Sequence, residues 1–552
     1  MLAVTPARAA LAAPKADDGY RDYVLGRHAW STDRIQDAAR YFARVRSIER
    51  DDPILLRRTF ELALAAGNVP LTLETAREVL KVDPQNSTAV LVLIADDFRQ
   101  GNHAAAERRL DGLAAGGIEA VMAPILRAWI AYGRGQGAAA LQAINLEGTD
   151  GFIRGYRLEH QAYLRLMTGD AAGASAAFAE LLATGQGGGR LRWAAAAAAQ
   201  ASGDDAQARR LLMDSETGAR DPLPQLAYPR RQLERAGKIA SPVRTPADGA
   251  AELFFRAALD LSREEPTPLS LVFARVAAVS RPDFAEAHLL TAEILRQTNE
   301  FPAALDALKK VGAGDALALQ AGIERAGVLE SMGQVEAALT LLRELIETSP
   351  ALVAPRLAYA DILRRQERYV EAAEGYGLVI DRITSPAATD WALYYMRGVC
   401  HERARQWALA EADLRRALQL RPDDPNVLNY LGYSLLEQGR DLAEAQALIE
   451  RAVEKRPGDG FIIDSLGWVH YTAGRYQEAV EQLEAAVADQ PGDPTINEHL
   501  GDAYWRVGRQ IEARFRWRAA LDCEPDPDQA RRLKDRIEWG LDLALSTARN
   551  GR

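Results

Sequence analysis

The sequence predicts an all-α solenoid of about fourteen stacked helical hairpins, closed by a carboxyl-terminal capping helix. Three observations carry that reading. Gly67, Gly101, Gly135, Gly169 and Gly203 stand 34 residues apart, and Ala106, Ala140, Ala174 and Ala208 keep the same interval. The beat returns in Gly439, Gly474 and Gly508. Pro84, Pro350, Pro422, Pro457, Pro491 and Pro525 punctuate the chain in register with it.

Each position has a physical reason. A helix that reverses direction needs a left-handed residue just past its end, which glycine adopts without a Cβ clash. The periodic glycine therefore ends the first helix of each hairpin. Small residues at the eighth and twentieth places of each repeat let the paired helices approach, and a large apolar residue at the twenty-fourth fills the groove beside them. The prolines stop the second helix. Residues 460–493 carry Leu466, Gly467, Gly474, Tyr476, Ala479, Leu483, Ala486 and Pro491 on this plan. Residues 494–527 repeat it with Leu500, Gly501, Tyr504, Gly508, Ala513, Trp517, Ala520 and Pro525.

These two stretches resemble the tetratricopeptide repeat (TPR) family, and the resemblance implies a right-handed superhelical solenoid. Stepping backwards places repeats near 425, 391, 353, 319, 285 and 251, then degenerate alanine-rich ones near 189, 155, 121, 87, 53 and 19. The expected organisation is a leader or signal remnant at 1–18, an amino-terminal array at 19–222, and a second array at 251–527. Its strongest repeats are 391–424, 425–459, 460–493 and 494–527. Pro222, Pro224, Pro229, Pro242 and Pro246 crowd 223–250, which reads as an irregular connection. Ala530, Leu533, Ile537, Leu541 and Ala544 form the apolar stripe of the capping helix within 528–552.

The net charge of -10 argues against nucleic acid, whose phosphates need a concentrated cationic footprint. No apolar run is long enough to cross a bilayer. Cys400 and Cys523 read as small buried hydrophobes, and the seven histidines, lacking metal-ligand spacing, as surface or turn residues for the most part. Glycine-rich stretches at 133–137 and 185–189 lack the lysine and hydroxyl of a phosphate loop. No catalytic, cofactor or metal site is expected, nor a small-molecule substrate. Val4 to Ala13 resembles the end of a secretory signal without its basic and apolar beginning.

Function is then expected on the surface of the stack. In the TPR family, places two, five, nine, twelve and thirteen of each repeat face a concave groove that holds a peptide or partner helix. Carried onto this chain, those places give Trp129, Tyr132, Tyr156, Glu159, Tyr163 and Trp193 in the first array. In the last four repeats they give Tyr395, Asn429, Tyr433, Phe461, Asp464, Trp468, Tyr471, Glu498, Asp502, Trp505 and Arg506. Trp30 also falls at such a place, and for all these tryptophans packing against the next hairpin is the alternative to partner contact. The Lys and Asn clamp of chaperone-tail-binding members is missing, since Tyr395 and Val399 stand at its places. The resemblance extends to large TPR proteins of the bacterial cell envelope, some of which are adaptors for carboxyl-terminal-processing proteases or outer-membrane assembly. It implies a non-catalytic, protein-binding scaffold in the periplasm or at the outer membrane. The alternative is a cytoplasmic assembly platform.

Overall fold

The computed structural model describes residues 16–113, 116–144, 147, 151–185, 188–213, 224–263 and 265–550, and among these the regular structure is entirely helical. The expected leader lies outside the described residues up to position 15. Contacts divide the chain into two compact units, 1–358 and 359–552.

The amino-terminal unit begins with six hairpins: α1 (Ala16–Ser31) and α2 (Ile35–Ile48), α3 (Pro53–Ala66) and α4 (Val69–Val82), α5 (Ser87–Arg99) and α6 (His103–Leu110), α7 (Gly117–Gly133) and α8 (Gly137–Ala143), α9 (Gly151–Met167) and α10 (Ala171–Ala183), α11 (Gly189–Ala201) and α12 (Asp205–Met213). After α13 (Pro224–Ala236) come three more: α14 (Pro246–Asp260) and α15 (Pro268–Ser280), α16 (Ala285–Gln297) and α17 (Phe301–Leu308), α18 (Ala318–Ser331) and α19 (Val335–Thr348). The division between units falls inside α20 (Ala354–Arg365). The carboxyl-terminal unit continues with α21 (Tyr369–Ile380), α22 (Trp391–Arg403) and α23 (Trp407–Leu420), α24 (Pro425–Glu437) and α25 (Leu442–Lys455), α26 (Gly460–Thr472) and α27 (Tyr476–Asp489), α28 (Pro494–Arg506) and α29 (Gln510–Asp522), then α30 (Pro527–Trp539) and α31 (Leu541–Asn550).

The local chemistry of a hairpin is seen in α3 and α4. The Asp52 carboxylate accepts from the Ile54 and Leu55 amides, Pro53 opens the helix, and Gly67 closes it at φ 74°. Asn68 then caps α4. The same aspartate cap recurs in the carboxyl-terminal unit as Asp424, Asp459, Asp493 and Asp526, at the starts of α24, α26, α28 and α30. These caps satisfy amide groups that the helix itself cannot.

Three expectations are corrected. The stretch 223–250 is not an irregular connection throughout: α13 packs on α11 and α12, with Leu226 buried and Leu233 against the same cluster. The capping segment is two helices, because Gly540 turns the chain at φ 79° between α30 and α31. Nor do the compact units divide at the prolines. Helices α14 and α15 turn back onto the first array, α14 against α5, α7 and α9, and α15 against α3 and α5. Phe254 of α14 and Phe273 of α15 thereby join one core with Leu91, Ile94, Trp129 and Tyr156. Complete burial of a side chain of this size is worth about 1.5–3 kcal/mol, which makes the returning hairpin part of the core.

Candidate partner-binding groove

In the amino-terminal unit, α3, α5, α7 and α9 are first helices of successive hairpins, so α14 and α15 lie on the face that the repeat pattern assigns to the groove. Trp129 shows the fit. Its indole N–H donates to His160 Nδ1 at 3.1 Å, and it is fully buried. Gly249 of α14 lies so close to the indole that a Cβ there would overlap the ring. Tyr156 donates to Asp260 at 2.9 Å and lies under the Arg256 guanidinium, which pairs in turn with Glu159. Tyr163 packs edge-on against Phe178. Arg190 of α11 bridges Glu252 of α14 and Glu286 of α16.

Trp129, Tyr156 and Tyr163, read from sequence as open docking residues, are therefore core residues. They do face a groove, and the chain's own hairpin fills it. Tyr132 is half-buried and donates to the Met167 carbonyl at 3.3 Å. Trp193, also half-buried, donates to the Ala240 carbonyl at 2.7 Å and meets Tyr228 edge-on.

Burial governs the ionisation of this interface. It pushes the Glu252 carboxyl up to about 7 against the pull of Arg190. Burial, with the Arg256 charge nearby, takes His160 down to about 3 and keeps it neutral, as its acceptance of the indole proton requires.

In the carboxyl-terminal unit the expected groove residues fall into two groups. The last repeat is covered by its own cap. Arg536 of α30 pairs with Glu498 at 2.7 Å and Asp502 at 3.0 Å, while Gln529 donates to Glu498. Trp505 and Arg506 both donate to Asp542 of α31, at 2.9 and 2.6 Å. Asp502 also accepts from the buried Trp517 indole. Trp468 is clamped as well: it donates to Glu437 at 3.1 Å and stacks on His499 at 4.0 Å and Tyr471 at 4.6 Å. Tyr471 accepts from Arg506 at 3.3 Å.

The second group remains available. Tyr395 and Tyr433 are half-buried, and neither hydroxyl makes a hydrogen bond among the described residues. Asn429 Oδ1 is buried without a hydrogen-bond partner among the described residues. Phe461, at the start of α26, is half exposed. The floor from α22 to α26 thus holds aromatic faces, two phenols and one unsatisfied amide oxygen, beside the Glu437 carboxylate.

Sequence reasoning missed His499 and Arg536. His499 is buried and bonded to Asp464 at 2.9 Å, and His160 and His288 are buried too, so three of the seven histidines depart from the surface or turn reading. Burial opposes charge on His499, but the charge and hydrogen bond of Asp464, with Glu498 and Asp502 beyond, hold its pKa above the ordinary value. One signal was present: His499 follows Asp464 by 35 residues, one repeat plus one place, which sets the two on neighbouring helices. Cys400 is buried and its thiol is pushed up to about 11 by that burial, whereas Cys523 is half-buried at the end of α29.

Residues 271–317, 324–388, 390–460 and 465–530 match the tetratricopeptide repeat; the array at 19–222 lies outside those matches. No curated protein matches the sequence. Similar solved structures include the APC/C hetero-tetramer Cut9-Hcn1, at 13% identity over 95% of this chain and 97% of that one, TM-score 0.38. Yeast Tom70 matches at 13% identity over 97% of both chains, TM-score 0.34. A tetratricopeptide repeat protein from Parabacteroides merdae matches at 12% identity over 45% of this chain and 96% of that one, TM-score 0.38.

Proposed function

We propose that this chain, a tetratricopeptide-repeat protein by its matched segments within 271–530, is a non-catalytic scaffold that holds a protein partner's peptide segment on the α22 to α26 floor. TPR proteins typically mediate protein–protein interactions. The observation that carries the reading is Asn429: its buried, unsatisfied Oδ1 lies on the same floor as the free phenols of Tyr395 and Tyr433. A buried acceptor without a donor is costly, and rotation of the Asn429 side chain toward the groove would let the backbone N–H of a bound peptide remove that cost. The aromatic faces supply apolar area, and Glu437 favours neutral or basic segments over acidic ones.

The test is selection of peptides from a displayed random library against the full chain. Enriched peptides should bind at least tenfold more weakly to Asn429→Ala and Tyr433→Ala, with melting temperatures close to the parent. Enrichment indifferent to both substitutions, or none at all, overturns the assignment.

A finer reading places the scaffold in the bacterial periplasm or at the outer membrane, as an adaptor for a protease or an assembly machine. It is supported by the signal-like residues Val4 to Ala13. Expression from an in-frame upstream start should yield exported protein on fractionation. Purely cytosolic protein would favour an assembly platform in the cytoplasm.

A further inference from the structure

The turn between α3 and α4 holds two cations for which the described residues supply no paired anion. Arg275 of α15 is 4% exposed, and its Nε and Nη2 donate to the Ala65 carbonyl at 3.2 and 2.9 Å. Its guanidinium lies directly under Gly67, where a Cβ would approach Nη1 to 2.5 Å. Lys310, exposed just past α17, reaches the Gly67 carbonyl at 3.4 Å. Asp306 is the carboxylate whose charge favours both cations, but it is held by Lys309 at 2.9 Å and by Gln36 at 2.6 Å. Burial takes the Arg275 guanidinium down to about 10, so it stays charged at neutral pH. Desolvation and the Arg275 charge together draw the Lys310 ammonium below its ordinary value. The turn itself does not compensate them: the carboxyl end of α3 contributes roughly half a negative charge and the amino end of α4 roughly half a positive one, and at a shared turn these largely cancel.

An open cavity of about 640 Å³ begins at this turn, with Lys310 on one side, Gly67 and Asn68 on another, and Arg40 and Arg44 of α2 on the third. Arg44 makes no hydrogen bond among the described residues, and the carboxylate within its reach, Asp22, stands 4.0 Å away. Arg40 is held by Asp37 at 2.6 Å. Asn68 Oδ1 accepts from the Leu71 amide, which leaves Nδ2 without a bond among the described residues. Glu74 and Glu78 of α4 do not line the cavity and are engaged by Arg46.

We propose that this cavity is an anion site, independent of the α22 to α26 floor, for a small molecule bearing a phosphate group. Near neutral pH a phosphate group carries a charge of about −1.5 to −2 and three acceptor oxygens, which matches two uncompensated cations and the free donors of Arg44 and Asn68. A monocarboxylate leaves one of the two charges unmatched. The cavity is larger than a phosphate group fills, and Ala39, Ala43 and Leu71 line the rest, so the remainder of the ligand has room over an apolar floor. The chain's own leader is not the occupant, since residues 1–15 contain neither Asp nor Glu.

The test is calorimetric titration of the full chain with phenyl phosphate and with benzoate, in low-salt buffer free of phosphate. Phenyl phosphate should bind roughly tenfold more tightly than benzoate. Lys310→Gln and Arg44→Gln should each weaken its binding about fivefold or more. Arg40→Gln, whose charge Asp37 already engages, should do less. Lys310→Gln also separates an anion site from a helix cap: without ligand it removes a like charge beside Arg275, so the melting temperature should stay level or rise. A clear fall in melting temperature overturns the proposal, because the ammonium then serves the carboxyl end of α3. Equal binding of phenyl phosphate and benzoate, or binding indifferent to Lys310 and Arg44, overturns it too. So does binding to vesicles of phosphatidic acid without binding to phenyl phosphate, which makes a lipid surface the source of the phosphate.

Discussion

The two units put the same face of the same hairpin to different uses. In the amino-terminal unit, Trp129, Tyr156 and Glu159 meet Gly249, Asp260 and Arg256 of the chain's own α14. Among the described residues of the carboxyl-terminal unit, the corresponding places at Tyr395, Asn429 and Tyr433 meet no such helix, and the last repeat is the one covered by its own chain, beneath Arg536 and Asp542. Aromatic and acidic residues at groove places thus do not distinguish docking by a partner from docking by a distant part of the same chain.

The comparison breaks most readily at Trp129. Trp129→Ala removes a buried indole from the filled groove and should destabilise the amino-terminal unit by about 3–5 kcal/mol. Hydrogen exchange resolved by peptide should show the loss in α7, α9 and α14. Tyr433→Ala, at a half-buried place with no helix upon it, should cost well under that in α24; equal losses would erase the distinction between filled and open floors.

Arg536→Ala tests the capped end. It leaves Asp502 buried without its cation and Glu498 with only Arg532 at 3.6 Å, a kind of change that costs about 3–5 kcal/mol. Urea unfolding followed at Trp505 and Trp517 should report it. Arg536→Ala combined with Glu498→Gln and Asp502→Asn should recover part of the loss.

Two buried histidines make the units answer oppositely to pH. His160 is held at about 3 in the fold against an ordinary 6.5, so it contributes stability above pH 6.5 that is lost as pH falls toward 3. His499 is raised, so its contribution is complete below pH 6.5 and is lost as pH rises through the folded value. Each slope is at most about 1.4 kcal/mol per pH unit. Stability measured against His160→Asn should fall on acidification, and against His499→Asn it should fall on alkalinisation. The same sign for both would refute the assigned environments.

The smallest expected effect is a control that ignores the difference between units. Asp52→Ala and Asp493→Ala each remove one helix cap and should each cost about 1 kcal/mol in melting experiments. A markedly larger loss at Asp493 would mean that the cap also positions the floor of the groove.

The 34-residue beat made the hairpins and their groove face legible, because neighbouring repeats repeat their contacts and leave a period. The occupant of the first groove was not legible. Tyr156 and Asp260 stand 104 residues apart and belong to different registers, so nothing periodic links them. Pro224 and Pro229 suggested irregular chain, yet a proline at the first helical position suits a helix, and α13 also accommodates Pro229 within it. His160 and His499 were read by what they lack, metal spacing, although burial decides what each does. The aspartate before Pro53, Pro425, Pro494 and Pro527 was readable as a cap and was passed over.

Gly249 beneath Trp129 also bears on how the protein is made. Repeat arrays whose contacts are confined to neighbours can consolidate as they leave the ribosome, but Trp129 has to wait for a residue 120 positions later in the chain. At 5–20 residues per second that delay is roughly 6 to 24 s, during which the indole, Tyr156 and Tyr163 stand uncovered. For that interval the nascent array is a sticky surface. Its protection then depends on whatever shields emerging chains in the cell, and its cooperative closure begins only when α14 is free to reach back.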